Sequence, residues 1–169
     1  MSHLMISTDK AELDVPAIHH FLSTQSTWAV GIPLATLRRA IDHSLCFGGT
    51  LDGRQVAFAR VVSDYATFAY LVDVYVLEEY RGRGYSKRLM EAVMAHPDLQ
   101  GLRRFMLATS TAHGLYARYG FTAPLRPETL MESGMCRIST RVDCLSSQAG
   151  AHCQCIRHGG INRSSASTR

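Results

Sequence analysis

Residues 74–94, VYVLEEYRGRGYSKRLMEAVM, begin as an apolar strand, cross a short run crowded with glycine and arginine, and leave as an amphipathic helix. A strand that flows straight into a helix presents several unpaired backbone N–H groups at the positive end of that helix. Gly82 and Gly84 let the backbone bend and come close to a ligand, while Arg81, Arg83, Lys87 and Arg88 add positive charge around it. The guest that suits such a junction is a phosphate or diphosphate. The stretch lacks the GxxxxGKS/T of a nucleoside-triphosphate loop, and GRGYSK does not complete GxGxxG, so the common nucleotide motifs are not supported.

Working outward, FAYLVDVYVL (68–77) is nearly all apolar and aromatic, the composition of a central strand buried on both faces, with Asp73 its one interruption. Upstream, LCFGGTLDGRQVAFARVV places Asp52-Gly53 between two apolar segments, and that dipeptide supplies the positive φ angles of a tight hairpin. Further upstream, LDVPAIHHFLS (13–23) carries Pro16 near a helix start after Asp14, where a missing N–H costs nothing and a carboxylate can cap. A second helix is expected over Leu34 to His43, with Leu37, Ala40 and Ile41 on one face. Downstream, a helix over 84–95 precedes the strand RRFMLATS, the short helix AHGLYARYGF stopped by Gly120, and LRPETLMES as a loop plus a last strand. The expected order is α-α-β-β-β-α-β-α-β.

The 169 residues fit one domain, with 46% hydrophobic and 19% charged residues, and no run reaches the roughly 18 apolar residues of a membrane span. The start of the chain has no apolar run of signal-peptide length, so a cytoplasmic protein is expected. The formal charge of +4 is unevenly placed: residues 1–133 hold 13 Lys+Arg and 13 Asp+Glu, and the excess lies in 134–169. A neutral body gives no electrostatic reason to expect nucleic acid. Residues 134–169 have no aromatic residue and much Ser, Gly, Arg and Cys, a composition that cannot offset an ordering entropy of roughly 1–2 kcal/mol per residue, so a disordered tail beyond a 1–133 domain is expected. Cys136, Cys144, Cys153 and Cys155 with His158 match no familiar zinc spacing, and no metal is expected.

The turn at 81–86 also resembles the diphosphate loop of the GNAT superfamily of acetyl-CoA-dependent N-acetyltransferases, Arg/Gln-x-x-Gly-x-Gly/Ala. Arg81, Gly84 and Ser86 occupy its motif positions, Ser86 departing from the usual Gly or Ala. A second signal stands downstream: LYARYGF completes the superfamily's Leu/Phe-Tyr-x-x-x-Gly-Phe with Tyr116, Gly120 and Phe121. The resemblance covers roughly residues 5–132. It implies an α/β (α+β) fold with a mixed, mostly antiparallel central sheet flanked by helices, acetyl-CoA as cosubstrate, a small-molecule or peptide amine as acceptor, and possible homodimers.

It also implies roles for residues. Arg81, Gly82, Arg83, Gly84, Tyr85 and Ser86 would hold the diphosphate. The backbone of Val74, Tyr75 and Val76 would pair with the pantetheine arm, and Tyr116 would act as general acid toward the leaving thiolate. Tyr119, about 300° around the same helix, is the fallback. An alkylamine with a pKa near 10.4 is mostly protonated at pH 7, and freeing it costs roughly 4–5 kcal/mol, so a base or water relay is useful. Asp73 is the best-placed carboxylate, or else a carboxylate bonded to backbone at a strand irregularity. Glu78 and Glu79 read as a solvated turn, and His113 as a second possible proton acceptor or a cap. Trp28 is either a packing anchor or part of the acceptor pocket, His19 and His20 read as solvated, and Cys46 as a small buried apolar residue. The rival to an enzyme is a non-catalytic acyl-CoA-binding module of the same fold.

Overall fold

The computed structural model describes residues 3–132. Five strands form one sheet in the order β1-β2-β3-β4-β5: Met5–Ser7, Leu45–Leu51, Arg54–Ser63, Phe68–Val76 and Arg104–Leu107. The first three pairings are antiparallel and the β4·β5 pairing is parallel, giving the mixed, mostly antiparallel sheet expected. Four helices flank it: α1 (Val15–Thr24), α2 (Leu34–Asp42), α3 (Tyr85–Ala95) and α4 (His113–Ala117). Asp14 caps α1 by accepting the Ala17 N–H at 3.0 Å, with Pro16 in the first turn. The β2–β3 hairpin turns on Asp52 and Gly53 at φ 49° and 79°, the pair of left-handed residues that such a turn requires.

The two larger of three apolar cores lie on opposite faces of the sheet, the third being the small cluster of Leu4, Leu51 and Val56, and strand alternation sorts residues between the larger two. Phe47, Ala57, Ala59 and Val61 face Leu89, Met90 and Val93 of α3, whereas Cys46 and Phe58 face Ile18, Phe21 and Leu22 of α1 with Leu37 and Ile41 of α2. In β4 the alternation changes phase. Ala69 and Leu71 lie in the α3 core, yet so do Val74 and Val76, while Tyr75 stacks on Phe21 in the other at 3.8 Å between ring centroids. The register explains the switch: Phe58 pairs with Tyr75 but Arg60 pairs with Val72, so β4 has one residue more than β3 across that interval. This is a β-bulge, and Asp73 within it has φ 54°.

Two expectations fail at the ends of the chain. The strand Met5–Ser7 was not anticipated, because three residues give alternation nothing to act on. The last strand expected in 125–133 is absent among the described residues. Pro127–Thr129 forms a single 3-10 turn, and Leu125 and Met131 are fully exposed, without a partner strand to pack on. The helical order is as read, so the observed order is β-α-α-β-β-β-α-β-α. The tail expected over 134–169, with its cysteines, lies outside the described residues.

Candidate active site

Strands β4 and β5 pair only from Phe68·Arg104 to Leu71·Leu107. Past that point, where the bulge begins, β4 runs on to Val76 with no neighbour on the β5 side among the described residues. Val72, Asp73 and Val74 are accordingly half-buried, where burial on both faces was expected. The Leu77 N–H donates to Val56 O on β3 at 2.9 Å, whereas Val76 O faces away from β3 and accepts Arg81 Nε–H at 3.1 Å. A residue's N–H and C=O share one edge of a strand, so the Val76 N–H also looks into the gap.

The gap leads to the glycine-arginine turn. Gly82 and Gly84 have φ 74° and 80°, and a Cβ built on either would meet nothing within 4 Å. Glycine is therefore needed here for its backbone conformation and not for close packing. Gly84 caps α3 without a side-chain hydrogen bond, and the first intrahelical bond runs from Arg88 N–H to Gly84 O. The N–H groups from Gly82 to Lys87 make no hydrogen bond to the described residues. Side chains shape the turn without filling it. Arg83 donates to Glu79 O at 3.1 Å and lies 5.5 Å from the Tyr80 ring centre, with Arg54 5.7 Å from the same ring. Ser86, one residue inside α3, is half-buried.

Tyr116 is 8% exposed, edge-on to Phe121 at 6.1 Å, and its ring belongs to the core beneath α3 that also contains Val76. Burial raises its phenol above the ordinary value, so it remains a proton donor through neutral pH. Its hydroxyl makes no hydrogen bond to the described residues. Tyr119 is different: its hydroxyl donates to Lys87 O at 3.0 Å and so ties the turn after α4 to the first turn of α3. The fallback phenol is thus engaged in a strut. His113, at the start of α4, is exposed.

On the opposite face stands a group that the sequence only half disclosed. Asp73 Oδ2 accepts Arg60 Nε–H and forms an ion pair with Nη2, each at 2.8 Å, and Oδ1 accepts the Trp28 indole N–H at 3.2 Å. Its partners are side chains, not the neighbouring backbone of the structural alternative. Arg60 also donates to Ser44 Oγ at 2.9 Å. Arg60 went unremarked in the sequence, although the signal existed: β3 and β4 are adjacent apolar strands, each interrupted in its interior by one charge, and the charges are opposite. Trp28 is 54% exposed, so it is not the packing anchor that was one of its two readings.

The remaining candidates resolve simply. Cys46 is fully buried, and desolvation pushes its thiol up to about 11, consistent with an inert apolar residue. His19 Nε2 donates to Ile32 O at 2.9 Å and pins the connection between α1 and α2, while His20 is exposed. Glu78 and Glu79 form an exposed 3-10 turn, with Glu79 paired to Arg54 at 3.2 Å. A cavity of about 260 Å³ beside α1, lined by Asp14, His20, Gln55 and Glu79 among others, includes neither Tyr116 nor the glycine turn. Among the described residues no three His, Cys, Asp or Glu side chains cluster as metal ligands would, and no helix is long and apolar enough to cross a membrane.

Comparison with known proteins adds an independent line. The family described as acetyltransferase (GNAT) matches residues 15–121. A Gibberella zeae protein provisionally named an acetyltransferase is 33% identical over 136 residues, 68% of this chain and 76% of its own. A crystal structure from Xanthomonas campestris pv. campestris, provisionally described as an acetyltransferase of the same family, is 71% identical. It superposes with a TM-score of 0.78 over 80% of this chain and 95% of that one. At 13% identity a Clostridium acetobutylicum protein, provisionally described as an acetyltransferase and solved with acetyl-CoA, shares the fold, with a TM-score of 0.56 over 79% of this chain and 96% of its own.

Proposed function

Because the chain belongs to the GNAT acetyltransferase family, we propose that it transfers the acetyl group of acetyl-CoA to a primary amine, the amine attacking the thioester directly in a ternary complex. The observation that carries this reading is the run of N–H donors from Gly82 to Lys87 at the start of α3 that find no acceptor among the described residues; Tyr116 shares a core with Val76 at the end of β4.

In this reading the amides of residues 82–86 bind the diphosphate, assisted by the charges of Arg81 and Arg83. The side chain of Tyr85 packs toward the core, so its contribution is its amide. Arg81 also orients the end of β4 through Val76 O. The edge of the Val74–Tyr75–Val76 segment that looks into the gap, at Val76, takes the pantetheine amides as a strand would, and an N–H there polarises the thioester oxygen. As the nitrogen–carbon bond forms and the carbon–sulfur bond breaks, Tyr116 donates its proton to the departing thiolate. Trp28 and Asp73 stand on the acceptor side. Water carries the proton released by the amine.

The test is CoA release from acetyl-CoA across a broad panel of primary amines, alongside calorimetric acetyl-CoA binding. Release with at least one amine supports the enzyme. Binding without release from any amine would leave the acyl-CoA-binding module instead.

A further inference from the structure

Arg60 and Asp73 interrupt the two central strands, and the fold sets them against each other. Both Arg60 contacts fall on Asp73 Oδ2 at 2.8 Å, and Oδ1 takes the Trp28 indole N–H. The other end of Arg60 reaches Ser44, whose hydroxyl donates to Ala40 O at 2.6 Å, which ties the pair to the end of α2. Asp73 itself holds φ 54°, a left-handed conformation that is uncommon for residues with a Cβ and that Asp tolerates better than most.

Resting on the acetyl-transfer reading, we propose that Asp73 serves the reaction as a positioning residue and not as a proton acceptor. Together with Arg60 it clamps the β4 bulge and thereby keeps the Val74–Val76 main chain available to the pantetheine arm. Three observations carry this. A proton on Oδ2 would set an O–H against the guanidinium N–H groups and strip Arg60 of its counter-charge, where the two side chains are only 15% and 10% exposed. The second oxygen is held by the indole. The third is the phase of β4: the extra residue turns Val74 and Val76 into the α3 core and Tyr75 onto Phe21. A slip of one residue would reverse all three side chains and re-aim their amides. Lys10 and Asp42 are the other charges near this corner, around buried Cys46.

Asp73→Asn keeps the shape and removes the charge; Arg60→Ala removes the other half, and Arg60→Lys keeps charge but not the fork. For each we would measure the acetyl-CoA dissociation constant, amide hydrogen exchange at residues 74–76, and the pH profile of kcat/KM with an accepted amine. The clamp requires Asp73→Asn and Arg60→Ala each to weaken acetyl-CoA binding by roughly tenfold, with little further loss in the double variant. Arg60→Lys should recover part of that loss. Exchange at 74–76 should quicken, and the acidic limb of the profile should stay in place. The idea is overturned if Asp73→Asn erases that limb and lowers kcat by about a hundredfold at unchanged acetyl-CoA affinity, the size and signature of a lost general base. Should Arg60→Ala not fold, exchange and affinity in Asp73→Asn decide alone. A wild-type chain that does not bind acetyl-CoA sinks the acetyl-transfer reading and the clamp with it. Binding that is intact and unmoved in both variants sinks only the clamp.

Discussion

A phenol buried in a core normally satisfies its hydroxyl, and Tyr116 of α4 differs on that point from the half-buried Tyr119 in the turn after it. Tyr119 donates to Lys87 O, whereas Tyr116 is left free among the described residues. If Tyr116 is the acid, Tyr116→Phe should lower kcat by about a hundredfold while the acetyl-CoA dissociation constant moves less than about twofold. Stopped-assay turnover and calorimetry check this together. Because burial raises its pKa, kcat should show no loss from phenol ionisation below about pH 10. The motif LYARYGF made Tyr116 legible in the sequence, since its spacing is local to one helix and the following turn. Arg60 was not legible in the same way, because its meaning depends on pairing with Asp73 across a strand register that no local pattern records.

At the scale of elements, the glycine turn is the sharpest case. Its built Cβ atoms meet nothing, so Gly84→Ala should cost about 1–2 kcal/mol through backbone strain alone. Acetyl-CoA binding should weaken by roughly tenfold as the turn relaxes away from φ 80°. Circular dichroism and calorimetry would show a folded protein with reduced affinity. The β3–β4 turn makes a second case. Asp64 accepts the N–H groups of Ala66, Thr67 and Phe68 and the Thr67 hydroxyl, which hold its carboxyl well below the usual range. A depressed carboxylate stabilises the fold above its ordinary pKa and ceases to as pH falls through the lowered one. Asp64→Ala should therefore reduce the melting temperature at pH 7, with the gap narrowing in strong acid. Helices and the hairpin could be read ahead because capping, periodicity and Asp52-Gly53 are local signals. The strand Met5–Ser7 could not, since its three residues become a strand only by pairing with β2. Leu130 and Met131 misled for the converse reason: apolar side chains alone do not make a strand where no neighbouring edge receives them.

Across the whole molecule, two cores on opposite faces share the sheet as a common wall, and Cys46 lies in that wall on the α1–α2 side. Its thiol titrates near 9.0 when free and about 11 when folded, so the folded state holds the proton more tightly. That contribution is complete below pH 9 and is lost as pH rises through 11. Its size is of order 2–3 kcal/mol. Chemical denaturation from pH 8 to 11 should show wild type losing more stability than Cys46→Ala by about that amount; parallel curves would contradict the assignment.

The parting of β4 from β5 beyond Leu71 and Leu107 has a thermodynamic corollary. Among the described residues β4 carries an unzipped seam; if acetyl-CoA binds as proposed, a pantetheine arm laid along it would act as a surrogate strand, and cosubstrate would also serve as mortar. At a hundred times its dissociation constant, mass action would add about 2.7 kcal/mol, visible as a higher melting temperature. Starved of acetyl-CoA, the same protein would be softer and more prone to self-association through that edge.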